Sequence, residues 1–95
     1  MIKEVYAVDN QQENIDLDRK MNIRFRSELV ITNCFDRAKD CRAEIYHILD
    51  ATVILNGPAS KYFINFYGRQ DAIKKAVSKI EDSLELKLRR VERWY

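Results

Sequence analysis

Apolar and polar positions alternate most clearly over "MNIRFRSELVIT", residues 21–32. Met21, Ile23, Phe25, Leu29 and Ile31 share one face, and Asn22, Arg24, Arg26 and Glu28 share the other. Period two predicts a strand covered on one side and wet on the other. Upstream, "IKEVYAV" (2–8) reads as a short strand from its β-branched and aromatic content. Residues 9–20 open with an acid or amide at every position from 9 to 13 and are expected to form a loop. Downstream, Asn33 is placed to cap a helix whose apolar positions Phe35, Ala38, Cys41, Ile45 and Ile48 keep helical spacing to about residue 50.

"TVILN" and "KYFINFY" then flank Asn-Gly-Pro, strong turn chemistry that predicts a hairpin. Asp71 opens a second helix with the stripe Ile73, Val77, Ile80 and Leu84. Its end is open. Leu88 and Val91 would extend the stripe, whereas Leu84, Leu86 and Leu88 alternate with period two; helix to about residue 84 is the preferred reading, and the structure of residues 89–95 stays undecided. The order strand, strand, helix, strand, strand, helix predicts one α+β domain over residues 1–95. Its expected form is a ferredoxin-like two-layer sandwich, an antiparallel sheet with two helices on one face.

In such a sheet Tyr62, Ile64 and Phe66 face the helices, and Phe63, Asn65 and Tyr67 face away, beside Arg24 and Arg26. Exposed aromatics flanked by arginines suit stacked RNA bases. The RNA-recognition signature itself is not met, because Ala59, Ser60, Lys61 and Tyr62 stand where a basic residue, a glycine, an aromatic and a small residue belong. The other reading is a dimer or partner contact centred on Phe63, Asn65, Tyr67, Arg24 and Arg26, since large apolar patches are rare on monomers. That reading is preferred.

Composition narrows the chemistry. The 17 basic and 15 acidic residues nearly cancel to +2, unlike a dedicated nucleic-acid binder. No apolar run nears the ~18 residues of a membrane span, and a cytoplasmic location is expected. Cys34 and Cys41, on one helix turn set, would stand about 10 Å apart at ~1.5 Å rise per residue, too far for a disulfide. With His47 as the one histidine, neither a zinc framework nor a triad base is evident, and Gly57 and Gly68 make no phosphate loop. Asp36, Asp40 and Glu44 are interleaved with Arg37, Lys39 and Arg42 and read as a solvated face. No catalytic residue, metal or cofactor is therefore expected.

Residues 69–95 carry eight Lys or Arg against five acids, a local net of +3. Helix solubility accounts for this if Asp71 pairs with Lys75 and Glu85 with Arg89 at i,i+4. The alternative is a phosphate-contacting stripe of Lys74, Lys75, Lys79, Arg89, Arg90 and Arg93.

"FDRAKDCRAEIYHILD", the hairpin and "DAIKKAVSKIEDSLEL" together resemble the small dimerising subunit of the KEOPS tRNA-modifying complex, over about residues 29–88. Ile73-Lys74 stands for that family's Leu-Arg pair, Val77-Ser78 for part of its next motif, and Leu84 and Leu86 for its later leucines. The resemblance implies a non-catalytic homodimer that brings together an ATP-using transferase within a larger complex and contributes to tRNA contact during threonylcarbamoyladenosine formation. The element order also resembles a self-assembling microcompartment shell domain. "DATVILNG" with "QDAIKKAVSKIEDSLELK" is similar to the end of ribosome hibernation factors, which implies a ribosome- or RNA-binding domain.

Overall fold

A computed structural model describes residues 1–9, 16–33, 43–56 and 62–95. The elements are β1 (Ile2–Val8), α1 (Leu17–Arg24), a single 3-10 turn at Arg26–Glu28, β2 (Leu29–Asn33), β3 (Ala43–Ile48), β4 (Ala51–Asn56), β5 (Phe63–Gly68), α2 (Gln70–Leu84) and β6 (Leu88–Trp94). The strands form one six-stranded sheet in the order β2-β3-β4-β5-β1-β6, with every neighbouring pair antiparallel. The fold is thus α+β. Strands β2 to β5 run as a meander from one edge to the centre. β5 and β6 flank β1 and run parallel to each other, so α2 carries the chain across β1.

Two expected elements change type. Residues 17–24 are helix, where a loop running into a strand is expected. Met21 and Phe25 are four apart and satisfy both periods, but Leu17 completes a helical stripe with them, and these three are buried. Ile23, which alternation groups with them, is 71% exposed. The segment "LDRKMNIR" is also rich in good helix formers and poor in β-branched ones. Helical period wins.

The helix expected to about residue 50 is the second correction. Residues 43–48 are strand β3, with Glu44, Tyr46 and Ile48 buried and His47 exposed, a period-two pattern that "IYHI" favours. Phe35, Ala38, both cysteines, Asp36 and Asp40 lie outside the described residues, as do Gly57, Pro58 and Ser60. β3 and β4 are joined by Leu49-Asp50, both at positive φ (47° and 68°), as a two-residue primed turn requires.

The undecided tail is strand. α2 ends at Leu84 and is capped by Glu85, left-handed at φ 54°, and the Leu86 N–H donates to the Glu81 carbonyl at 3.2 Å. The Glu81 carboxylate then accepts the Leu88 N–H at 2.8 Å and starts β6 beside β1.

One face of the sheet carries the core. Leu17, Met21 and Phe25 of the α1 region and Ile73, Ala76, Val77, Ile80 and Leu84 of α2 pack on Tyr46, Ile48, Val53, Leu55, Ile64 and Phe66. Both helices therefore cover the same face. No helix among the described residues is long and apolar enough to cross a membrane.

Candidate functional site

Register decides which side chains the opposite face holds. Phe66 pairs with Glu4 and Val53, all on the covered side, so their neighbours along each strand point away. Across the open face run Ile45 and His47 of β3, Thr52 and Ile54 of β4, Phe63, Asn65 and Tyr67 of β5, and Lys3, Val5 and Ala7 of β1. Arg89, Glu92 and Trp94 of β6, opposite Ala7, Val5 and Lys3, complete it. Most are half-buried by their sheet neighbours; Phe63 is 40% exposed and Trp94 58%. The Lys3 ammonium stands 5.7 Å from the centre of the Tyr67 ring, a cation–π contact across the β1–β5 pair. The Trp94 indole N–H donates to Glu92 at 3.0 Å. The centre of the face is thus apolar, with Asn65 within it and charges towards the β1–β6 side.

Phe63, Asn65 and Tyr67 sit together on this face, as their alternation requires. Tyr62 is not with Phe66 in the core; it precedes β5 in a turn and is 49% exposed, while its carbonyl accepts the Val8 N–H. Arg24 and Arg26 are not beside the aromatics either, because their segment is helical rather than a sheet strand. The Arg24 guanidinium reaches the Ser83 carbonyl from Nε and Nη2 at 3.2 and 3.1 Å, tying α1 to the last turn of α2. Arg26 is exposed on the 3-10 turn.

The basic stripe separates into two groups. Lys74, Lys75 and Lys79 are exposed on α2. The three arginines are on β6 with acidic partners: Arg89 meets Asp9 at 3.2 Å, and Arg93 and Arg90 approach Glu4 at 2.8 and 3.8 Å. Asp71 pairs with Arg69 at 3.6 Å rather than with Lys75.

Glu4 is a buried acid that the short-strand reading of 2–8 passes over. It is 2% exposed on the covered face and accepts the Tyr6 hydroxyl at 2.7 Å as well as the Arg93 guanidinium. Charge-assisted bonds of this kind offset the burial of the carboxylate. Burial first, and then the bond to Glu4, push the Tyr6 phenol up to about 12. The signal in the sequence is Glu4-x-Tyr6 on one strand face with Arg90 and Arg93 in the tail, legible only once β6 is placed beside β1.

A second buried polar group lies under α1. The Tyr46 hydroxyl has no hydrogen-bond partner among the described residues, although Asn22 lies close; Asn22 gives its amide hydrogen to Glu44 at 3.1 Å. Burial, followed by the Glu44 charge, pushes Tyr46 up to about 12. Among the described residues no group of three or more His, Cys, Asp or Glu is arranged to hold a metal ion. Set against known protein families, curated proteins and solved structures, the chain matches none.

Proposed function

We propose that this chain is a small non-catalytic subunit that pairs with a second copy of itself through the open sheet face and, as a dimer, joins a larger cytoplasmic complex. The observation that carries the reading is the one-sided cover. Both helices lie on one face, leaving Phe63 and Tyr67, with Val5 and Ile54, on the other. Six strands about 4.8 Å apart, each rising ~3.3 Å per residue over six or so residues, give a footprint of roughly 25 by 20 Å. Counted on both partners, such a face reaches the roughly 1,000 Å² in total that marks a biological interface. Its charges are nearly balanced, Lys3 against Glu92 and Arg89 against Asp9 at the end of β1, which suits a self-complementary contact better than a phosphate backbone.

The finer architectural proposal is a ferredoxin-like core. It is supported by the run β6-β1-β5-β4, which has that fold's alternating directions and its split strand–helix–strand unit β5-α2-β6, with β2 and β3 added at one edge. The finer functional proposal is a dimerising role in tRNA modification, with weak phosphate contacts through Lys74, Lys75 and Lys79. It is supported by the buried stripe Ile73, Val77, Ile80 and Leu84 on α2, the helix that carries half of the resemblance.

Solution mass at two protein concentrations tests the central claim. A dimer is expected, and Phe63→Ser with Tyr67→Ser together should return it to a monomer with its helical signal intact. A parent chain that stays monomeric at high micromolar concentration removes the reading; a hexamer would point to shell-like assembly instead.

A further inference from the structure

We infer that β6 is an exchangeable strand. Within the dimer proposed above, each copy lays its β6 along the β1 of the other, through a joint at residues 85–87 that straightens into helix. The inference rests on the self-pairing reading and adds to it the element that locks the pair.

The joint is where local preference and fold disagree. Glu85, Leu86 and Lys87 are good helix formers, with no Gly or Pro among them. Beyond them Leu88 and Val91 lie at i+4 and i+7 from Leu84 and would continue the apolar stripe of α2. Yet α2 stops at Leu84, and Glu85 stands at φ 54°, a left-handed position that suits Gly or Asn. Short, strained joints invite exchange of the element that follows them. In the exchanged form Glu85 returns to helical angles, and every contact between β1 and β6 is remade between chains.

The place that β6 occupies is specific to it. The strand adds little to the core: Arg89, Arg90, Val91, Glu92 and Trp94 are exposed, while Leu88 packs against the core half-buried. β6 is held instead by its ladder with β1 and by Glu4. Val91 is bulged between Arg90, opposite Tyr6, and Glu92, opposite Val5. The extra residue turns Arg90 and Arg93 to the same side, where Arg93 reaches the enclosed Glu4 carboxylate at 2.8 Å and Arg90 stands 3.8 Å from it. Without β6 that carboxylate loses its guanidinium partners, and the edge of β1 loses its ladder. A strand that restores both must carry the bulge and the two arginines in this register. A second copy of the chain brings that strand, so the occupant is selected by identity.

Two charge-reversed chains test the inference. Glu4→Arg sets like charges against Arg90 and Arg93, and Arg93→Glu sets a second carboxylate against Glu4, so each variant should melt below the parent. In an exchanged pair the β6 of each variant meets an opposite charge on the other's β1. Co-refolded from denaturant in equal amounts, the two should give a one-to-one heterodimer by native mass spectrometry, with a melting temperature above that of either variant alone. An unexchanged heterodimer gives no such rescue, because positions 4 and 93 then meet only within their own chain. A parent that dimerises while the co-refolded pair shows no rescue overturns the exchange and leaves the open-face pairing standing. A parent that stays monomeric at high micromolar concentration overturns both. The joint supplies a second measurement that leaves Glu4 intact. Glu85→Ala favours helix and should tighten the dimer severalfold, whereas Glu85→Gly suits the left-handed position and should loosen it severalfold without lowering the melting temperature of the monomer. Equal dissociation constants for these two variants also overturn the inference.

Discussion

The two faces of this sheet are made by the same strands and differ by a single residue step. Along β5, Ile64 and Phe66 are fully buried, while Phe63, between strand start and core, is 40% exposed. On the covered side the helices pack on the centre of the sheet, and even the polar residues Glu4 and Tyr46 are enclosed. On the open side, among the described residues, similar side chains are held by their cross-strand neighbours. What a side chain does here depends on which face register gives it rather than on residue type. Stability resides in the covered face, and the open face is the one proposed to associate.

The largest contrast should come from truncating one phenylalanine on each side. Phe66→Ala removes a buried ring that also meets the Tyr6 ring edge-on at 5.2 Å, and should cost about 3–5 kcal/mol. That is a large share of the ~5–15 kcal/mol expected for a domain. Phe63→Ala should cost the isolated chain less than about 1 kcal/mol. Urea unfolding of both variants at low protein concentration checks this. Equal losses would mean that the open face is covered within one chain.

Alkali should act through the covered face. Tyr6 and Tyr46 both have phenols raised from 10 to about 12, with burial the main cause. The fold thus resists ionisation more than the unfolded chain does. Stability is fully present below pH 10 and is lost as pH rises through about 12, because the unfolded state there binds fewer protons. After allowance for solvent screening, each tyrosine should contribute on the order of 1–2 kcal/mol to this loss. Denaturation midpoints at pH 9, 10 and 11, compared with those of Tyr6→Phe, measure the slope. A flat profile would show that the phenols are better solvated than their burial implies.

The covered face also shows why some elements were legible in the sequence and others were not. α2 was legible because Ile73, Val77, Ile80 and Leu84 fit only the helical period, and β5 because it alternates over aromatic and β-branched residues. α1 was ambiguous because Met21 and Phe25 satisfy both periods, and the deciding residue, Leu17, stood in a stretch read as loop. β3 was hidden by its turn. Leu49-Asp50 contains neither glycine nor asparagine, so Asp50 alone marked a reversal after Ile48. The open face of β5 could be read from alternation, but the separation of Arg24 and Arg26 from it depended on the type of α1. The pairing of Glu4 with Arg93 depended on a contact across 89 positions, which no local pattern encodes.

The smallest effect should be of opposite sign. The Tyr46 side chain is fully enclosed, and its hydroxyl has no partner among the described residues. Burying a hydroxyl without a hydrogen bond costs roughly 1–3 kcal/mol by mutational measure. Tyr46→Phe deletes that oxygen and keeps the ring, which continues to pack against the α1 side of the core. The small void left by the oxygen and the loss of any weak contact with Asn22 act against the gain, so the net should be a stabilisation of about 1 kcal/mol or less. A melting temperature a few degrees above the parent's is then expected for a chain of this size. The same change should flatten part of the alkaline loss, because one of the two raised phenols is gone. If Tyr46→Phe instead destabilises the chain by more than about 1 kcal/mol, the hydroxyl is bonded in solution, by a bridging water or by the Asn22 amide turned from Glu44. The alkaline slope of Asn22→Ala would then separate these two, since only the second bond is lost with the amide.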